Sequence, residues 1–265
     1  MGRFLGEGTC FLYAAMEISL IADFFKGLDR QGPGGDPQTR MALELAGNLL
    51  PDKIDALDIG CGTGRQTAVL ASMPGIRVTA VDLLPVMVDG MLARMAGLGL
   101  CSRVEGVVAS MDSLPFGAES FDLIWAEGSI YNIGFRRGLA EWRRLLRSGG
   151  CIAVTECSWL TGARPSSGMD SLEAMFPEMK TVVENISAMQ ETGYIPVAHF
   201  VLPECCWTDN YYIPMERRIG EFTGLYRGDG AVKAFTDSLR EEIRCYREFG
   251  SYYGYVFYIG QKPGF

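Results

Sequence analysis

The chain has a single histidine, His199, among 265 residues, and no C-x-x-C pair. Protein zinc sites are built from Cys and His at short spacings, so no metal site is expected. The eight cysteines are Cys10, Cys61, Cys101, Cys151, Cys157, Cys205, Cys206 and Cys245. Several lie in apolar stretches, where a free thiol behaves as a small hydrophobe. They read as reduced thiols of a cytoplasmic protein. Basic charge is scarce: 24 Lys plus Arg face 32 Asp plus Glu, a net charge of −8. An acidic surface repels phosphate backbones, which argues against a nucleic-acid partner. No run reaches the ~18 apolar residues of a membrane span. The apolar stretch 11–25 is interrupted by Glu17 and Asp23 and shows no basic leader with a cleavage site. Gly6 stands where a myristoylation signal needs Ser or Thr. A soluble cytoplasmic protein without a membrane partner is expected; these features leave its oligomeric state open.

What is present is ordinary globular composition, 48% hydrophobic and 21% charged. Phe11, Ala15, Ile18, Ala22 and Phe25 recur at helical spacing, which predicts an amphipathic helix over 9–28. "RQGPGGDPQ" breaks it, and Asp36 suits an N-cap with Pro37 in the first turn of a helix running to about residue 49. From residue 54 short apolar runs alternate with helical stretches. Strands are predicted at 54–59, 76–81, 104–108, 121–126 and 151–156, and helices at 63–72, 85–98 and 136–146. "RSGG" is read as the glycine stop of the last helix. This rhythm predicts an α/β fold, a doubly wound parallel sheet covered on both faces. Beyond residue 159 a helix is predicted over 173–192, a strand over 194–202, an amphipathic helix over 231–249 and an aromatic strand in "YYGYVFYIGQKP". The chain is read as one domain. It comprises a helical lid (1–50), a core (51–158), an insertion (159–230) and a final helix and strand (231–265), with Gly32, Gly34 and Gly35 as lid hinges.

Residues 56–64 read "ALDIGCGTG". Gly60, Gly62 and Gly64 follow a predicted strand and open a helix, where glycine permits a tight turn and close approach of a ligand. The dinucleotide fingerprint G-x-G-x-x-G fails: its third glycine would fall on Arg65. Asp58 before the turn would repel a pyrophosphate and suits a nucleoside carrying an amine or a sulfonium. Asp82 ends the second strand about twenty residues past the turn, where an acid accepts from ribose hydroxyls. Asp112 follows the third strand and is placed to accept from an adenine amino group, with Met111 on the ring. A helix N-cap or turn role explains each acid taken alone; together they converge on one crevice.

"LDIGCGTG", "VTAVD", "MDSLPFGAESFDLIWA" and "LLRSGG" resemble, in order, the motifs of class I S-adenosylmethionine-dependent methyltransferases. The acid-x-LPF stretch looks most like the ubiquinone/menaquinone type. "RQGPG" and "EGSIYNIGF" also resemble a bacterial subgroup of methyltransferase-like proteins. The resemblance implies a seven-stranded sheet whose last strand is antiparallel. It implies S-adenosyl-L-methionine as cofactor and S-adenosyl-L-homocysteine as product. By position, Asp58 would lie near the methionyl amine and Gly60, Cys61, Gly62 and Gly64 would pack on the cofactor. Asp82 and Leu83 would hold the ribose side, and Met111 and Asp112 would flank the adenine.

Methyl transfer from a sulfonium is an in-line displacement that depends on alignment, worth ~7–11 kcal/mol of barrier. A base is needed only for an acceptor protonated at working pH. Glu127, just past the fourth strand, is the first candidate for an active-site acid, with Tyr131 beside it. A structural carboxylate and a core aromatic are the simpler readings of these two. His199 is expected to be buried and neutral. Residues 205–214, with Trp207, Tyr211 and Tyr212, are a candidate wall for a flat acceptor, or core. The strand-four end lacks the N-P-P-Y sequence of amino-group nucleic-acid methyltransferases. The expected activity is methylation of a small molecule. The alternatives are a macromolecule methyltransferase, a non-catalytic cofactor-binding protein and an NAD enzyme.

Overall fold

The computed structural model describes residues 18–264, apart from 167 and 178. The apolar runs form β1 (Ile54–Ile59), β2 (Ile76–Asp82), β3 (Val104–Val108), β4 (Phe121–Ala126) and β5 (Leu146–Trp159). Before them come α1 (Ile18–Lys26) and α2 (Asp36–Gly47). Between them lie α3 (Arg65–Ser72), α4 (Pro85–Gly97) and α5 (Phe135–Trp142). After β5 follow α6 (Met169–Met175), a two-residue β6 (Lys180–Thr181), α7 (Val182–Glu191) and β7 (Ile195–Val201). The chain ends with α8 (Glu204–Trp207), a π-helical turn (Thr208–Tyr212), α9 (Ile213–Leu225), α10 (Gly230–Phe249) and β8 (Tyr253–Gln261).

The main sheet path is β3-β2-β1-β4-β5-β8-β7, with β6 paired to β5 off that path. β8 runs antiparallel to both its neighbours, while β1 to β5 pair in parallel. β4 is buried at every residue, as a parallel strand covered on both faces should be. The strand order reverses between β1 and β4, and this switch point opens a crevice at their C-terminal ends.

Four local expectations are corrected. The helix expected over 173–192 is split, because Pro177 lacks an N–H and disfavours helix at Phe176. α7 restarts at a capping box, with Glu184 N donating to Thr181 Oγ1 (3.3 Å) and Thr181 N to the Glu184 carboxylate (2.8 Å). "RSGG" does not end a helix: α5 stops at Trp142, Leu146 already pairs with Phe121, and Gly149 (φ +80°) lies in a bulge of β5. Asp36 does not cap α2; Gly35 is the N-cap, and the Asp36 carboxylate binds Arg30 and Arg65 instead. His199 is exposed, because β7 is an edge strand paired only with β8.

Of the helix expected over 9–28, residues 9–17 lie outside the described residues; its described part, α1, enters the core through Ala22, Phe24 and Phe25, while Ile18 is exposed. Phe24 is fully buried, edge-on to Phe25 (5.3 Å), Phe222 (5.3 Å) and Phe235 (5.2 Å). Arg218 of α9 donates to the carbonyls of Asp23 (2.8 Å) and Phe24 (3.3 Å), closing the end of α1. Gly34 and Gly35 are packed rather than hinged: a Cβ on Gly34 would lie 2.9 Å from Arg30, and one on Gly35 2.2 Å from Gln38. Phe24→Ala is therefore expected to cost about 3–5 kcal/mol in urea unfolding, and a loss below about 1 kcal/mol would show that α1 lies loosely on the sheet.

Candidate active site

One cleft lies over the C-terminal ends of β1, β2 and β4, with α1 as its roof. Ile18, Ile21, Ala22 and Phe25 of α1 face Ile59, Gly60, Cys61 and Gly62 of the floor. Asp82, Leu83 and Met111 line one end; Arg30, Glu127 and Tyr131 line the other.

The glycine turn is held by the protein itself. Gly60 N and Cys61 N donate to Val81 O (2.8 and 2.9 Å), and Gly64 N to Cys61 O (2.9 Å). Gly62 N donates to Asp82 Oδ2 (3.0 Å) and Thr63 N to Gln31 Oε1 (2.9 Å). None of these amides is left for a phosphate, so the geometry that serves pyrophosphate in dinucleotide enzymes is absent. The glycines admit protein neighbours. A Cβ on Gly60 (φ +77°) would stand 2.5 Å from Ser129, and one on Gly62 (φ +53°) 2.2 Å from Gln31 Oε1. Gly64 faces Met91 and lies outside the cleft lining.

Two of the three expected acids sit elsewhere. Asp58 is fully buried beneath the turn, because side chains alternate along β1 and Ile59 takes the cleft side. Its carboxylate accepts from Thr67 Oγ1 (2.6 Å) and Gln66 Nε2 (3.4 Å). Burial pushes it up to about 7 against the Thr67 hydroxyl, and the charges of Glu127 and Asp82 add to the push. Asp112 is exposed; it pairs with Arg137 (3.0 Å) and lies outside the cleft lining, while Met111 lies within it. The turn at 110–113 sends adjacent side chains in different directions.

Asp82 lines the cleft and takes two backbone donors, Gly62 N on Oδ2 and Leu84 N on Oδ1 (3.0 Å each). Burial raises its carboxyl above the usual range, against those amides. Each oxygen keeps a lone pair for a ligand. Leu83 is 42% exposed at the cleft mouth, an apolar face open to a ring. Burial pushes the Cys61 thiol well above its ordinary range, which makes it inert.

Glu127 is bound through both oxygens. Oε1 accepts from Thr39 Oγ1 (2.6 Å) and Trp125 Nε1 (3.0 Å), and Oε2 from Arg30 Nη1 (3.2 Å). Arg30 is 7% exposed and also binds Asp36 (2.9 Å). Tyr131 and Asn132 stand on a 3₁₀ turn beside it. Trp207 and Tyr212 do not reach the cleft lining: Trp207 stacks on Tyr246 at 4.5 Å within the core. The residues missed from sequence are Arg30, Gln31, Thr39 and Ser129. Only "RQGPG" and "EGSIYN", quoted above as motifs, carry a signal, and here they meet.

Residues 56–150, which span the turn and the strands that carry Asp82 and Glu127, match the methyltransferase-domain family. Over 155 residues the chain is 34% identical to a demethylmenaquinone methyltransferase of Clavibacter sepedonicus, covering 57% of this chain and 59% of that one. Residues 56–150 thus carry a methyltransferase domain, and the chain is similar in sequence to S-adenosylmethionine-dependent methyltransferases. It is also 24% identical over 221 residues to the O-methyltransferase resE of Aspergillus sclerotiorum, covering 77% of this chain and 84% of the relative. In fold it is similar to a methyltransferase from Geobacter sulfurreducens solved with S-adenosyl-L-homocysteine (TM-score 0.76, 18% identity, 92% and 98% coverage). Acids without spare amides beside them favour a cation over a phosphate in this cleft. Among the described residues, no helix is long and apolar enough to cross a membrane and no group of three metal-type ligands occurs.

The buried acids set a pH dependence. Asp58 and Glu242, the latter held against Tyr212 (3.2 Å), are both raised by burial to about 7, whereas unfolded carboxyls titrate near about 4. Between about pH 4 and about pH 7 the folded protein keeps protons that the unfolded chain has lost, so stability is greatest at the acid end and falls as pH rises. Urea midpoints from about pH 5.5 to about pH 8 are expected to drop in the wild type, and less steeply in Asp58→Asn, by an amount on the order of a few kcal/mol. Identical slopes would contradict the burial of an uncompensated Asp58.

Proposed function

We propose that the protein methylates a small, largely apolar acceptor that is neutral or cationic. The observation that carries this reading is the state of Arg30. It is the one Lys or Arg side chain lining the cleft among the described residues, and Glu127 and Asp36 already compensate it. A phosphorylated or carboxylate acceptor would find no free cation, while Asp82 and Glu127 would repel it. The roof of Ile18, Ile21, Ala22 and Phe25 favours a compact apolar compound over a polymer strand. The small-molecule relatives named above support the same class.

S-adenosylmethionine supplies an already activated methyl group. The protein's part is to hold and orient. Asp82 is the acceptor for the ribose hydroxyls, through the lone pairs its backbone donors leave open. Leu83 and Met111 pack on the adenine. Cys61 and the Gly60–Gly64 turn form the floor against the rest of the cofactor. Asp58 acts on the methionyl amine from beneath the turn, as a field rather than a contact. Glu127 and Tyr131 stand at the acceptor end. Glu127, bound through both oxygens, fixes Arg30 and the wall of the acceptor space, and Tyr131 stands beside it on the same wall. α1 excludes water over the floor, which strengthens each of these interactions.

S-adenosyl-L-homocysteine at ~100 times its Kd is expected to raise apparent stability by roughly 2.7 kcal/mol, read as a melting shift, and NAD to produce none. A shift with NAD alone would overturn the cofactor site. Asp82→Ala is expected to weaken S-adenosyl-L-homocysteine binding by about 1.5–3 kcal/mol per hydrogen bond lost in calorimetry, and unchanged affinity would remove Asp82 from the ribose role.

A further inference from the structure

The strap between α1 and α2 places one side chain against the cofactor turn. Gln31 Nε2 donates to the carbonyls of Phe25 (3.1 Å) and Leu28 (2.9 Å), at the end of α1. Its Oε1 accepts from Thr63 N (2.9 Å) and lies 3.3 Å from Thr63 Oγ1. A single amide thus joins the last carbonyls of the roof to the turn that forms the floor. Both its hydrogens and its oxygen are engaged, so Gln31 has nothing left to offer a ligand directly.

We propose that Gln31 is a positioning residue for the cofactor: it anchors Thr63 to the roof and so holds the glycine turn in the register that Asp82 needs. The coupling runs through adjacent residues. Thr63 N is held by Gln31, and the preceding Gly62 N is held by Asp82 Oδ2. Release of Thr63 frees the turn to shift, and Asp82 then loses the donor that aims its open lone pairs into the cleft. The room for this device is made by Gly62, whose missing Cβ would lie 2.2 Å from Gln31 Oε1. The roof end is rigid, since Phe24 and Leu28 are buried in the core. The inference rests on the reading of Asp82 as the ribose acceptor.

The test uses the full chain and S-adenosyl-L-homocysteine. Gln31→Met keeps the length of the side chain and removes its amide; Gln31→Ala removes both. Arg147→Met is the control. Arg147 binds Asp122 (2.6 Å) and Asp55 (3.1 Å) at the end of the sheet opposite the cleft, so its loss affects stability alone. Both Gln31 variants are expected to raise the Kd about tenfold or more and to speed amide exchange at residues 60–64, while Arg147→Met keeps the wild-type Kd. A Kd within about twofold of wild type in Gln31→Met overturns the proposal. A Thr63 amide that exchanges freely in the wild type overturns it without any variant. If Asp82→Ala keeps its affinity, the ribose role fails and the route proposed for Gln31 fails with it; if Asp82→Ala loses affinity while Gln31→Met keeps it, the anchoring role alone fails.

Discussion

The five amides of the turn between β1 and α3 are bound by protein acceptors, and the character of the cleft depends on that. A strand, a glycine turn and a helix start ordinarily present backbone N–H groups to an anion. Here Val81 takes two of them, Cys61 one, Asp82 one and Gln31 one. The turn becomes a smooth floor without anion affinity, ringed by carboxylates. Such a floor, with Asp82 at one end and Glu127 at the other, favours a neutral or cationic ligand over an anionic one.

The same arrangement places strain on the acids. Asp58 is buried without a cation beside it, and Glu127 and Asp82 lie near enough to raise its carboxyl further. Glu127, by contrast, has a cation beside it: Arg30, which is drawn in from the strap and shared with Asp36. A bound sulfonium and ammonium would provide the missing positive charge.

Much of this was legible in the sequence. The bounds of β1, β3 and β4 follow from short apolar runs, and the parallel order with an antiparallel last strand follows from the family resemblance. The turn and Asp82 were legible because strand, glycine and acid stand at fixed spacing. The directions of side chains were not. Asp58, Asp82 and Asp112 share one local signature, an acid at or just past a strand end, yet one faces a helix, one the cleft and one the solvent. The partners that decide between them, Thr67, Gly62 and Arg137, are set by packing. Gln31 and Arg30 act on residues 32 and 97 positions away, beyond any periodic pattern. The aromatic run at Trp207 and Tyr212 shows the converse: a composition that suits a pocket went into the core.

What most needs testing is whether the positive charge of S-adenosylmethionine is matched by the buried carboxyl of Asp58, which burial raises to about 7. Calorimetric titration of S-adenosylmethionine at about pH 6.5, in two buffers of different ionisation enthalpy, counts the protons exchanged on binding. Net proton release is expected, with an affinity that rises with pH through about 7 as Asp58 gives up its proton. Binding with no proton exchange, or with net uptake, would contradict it.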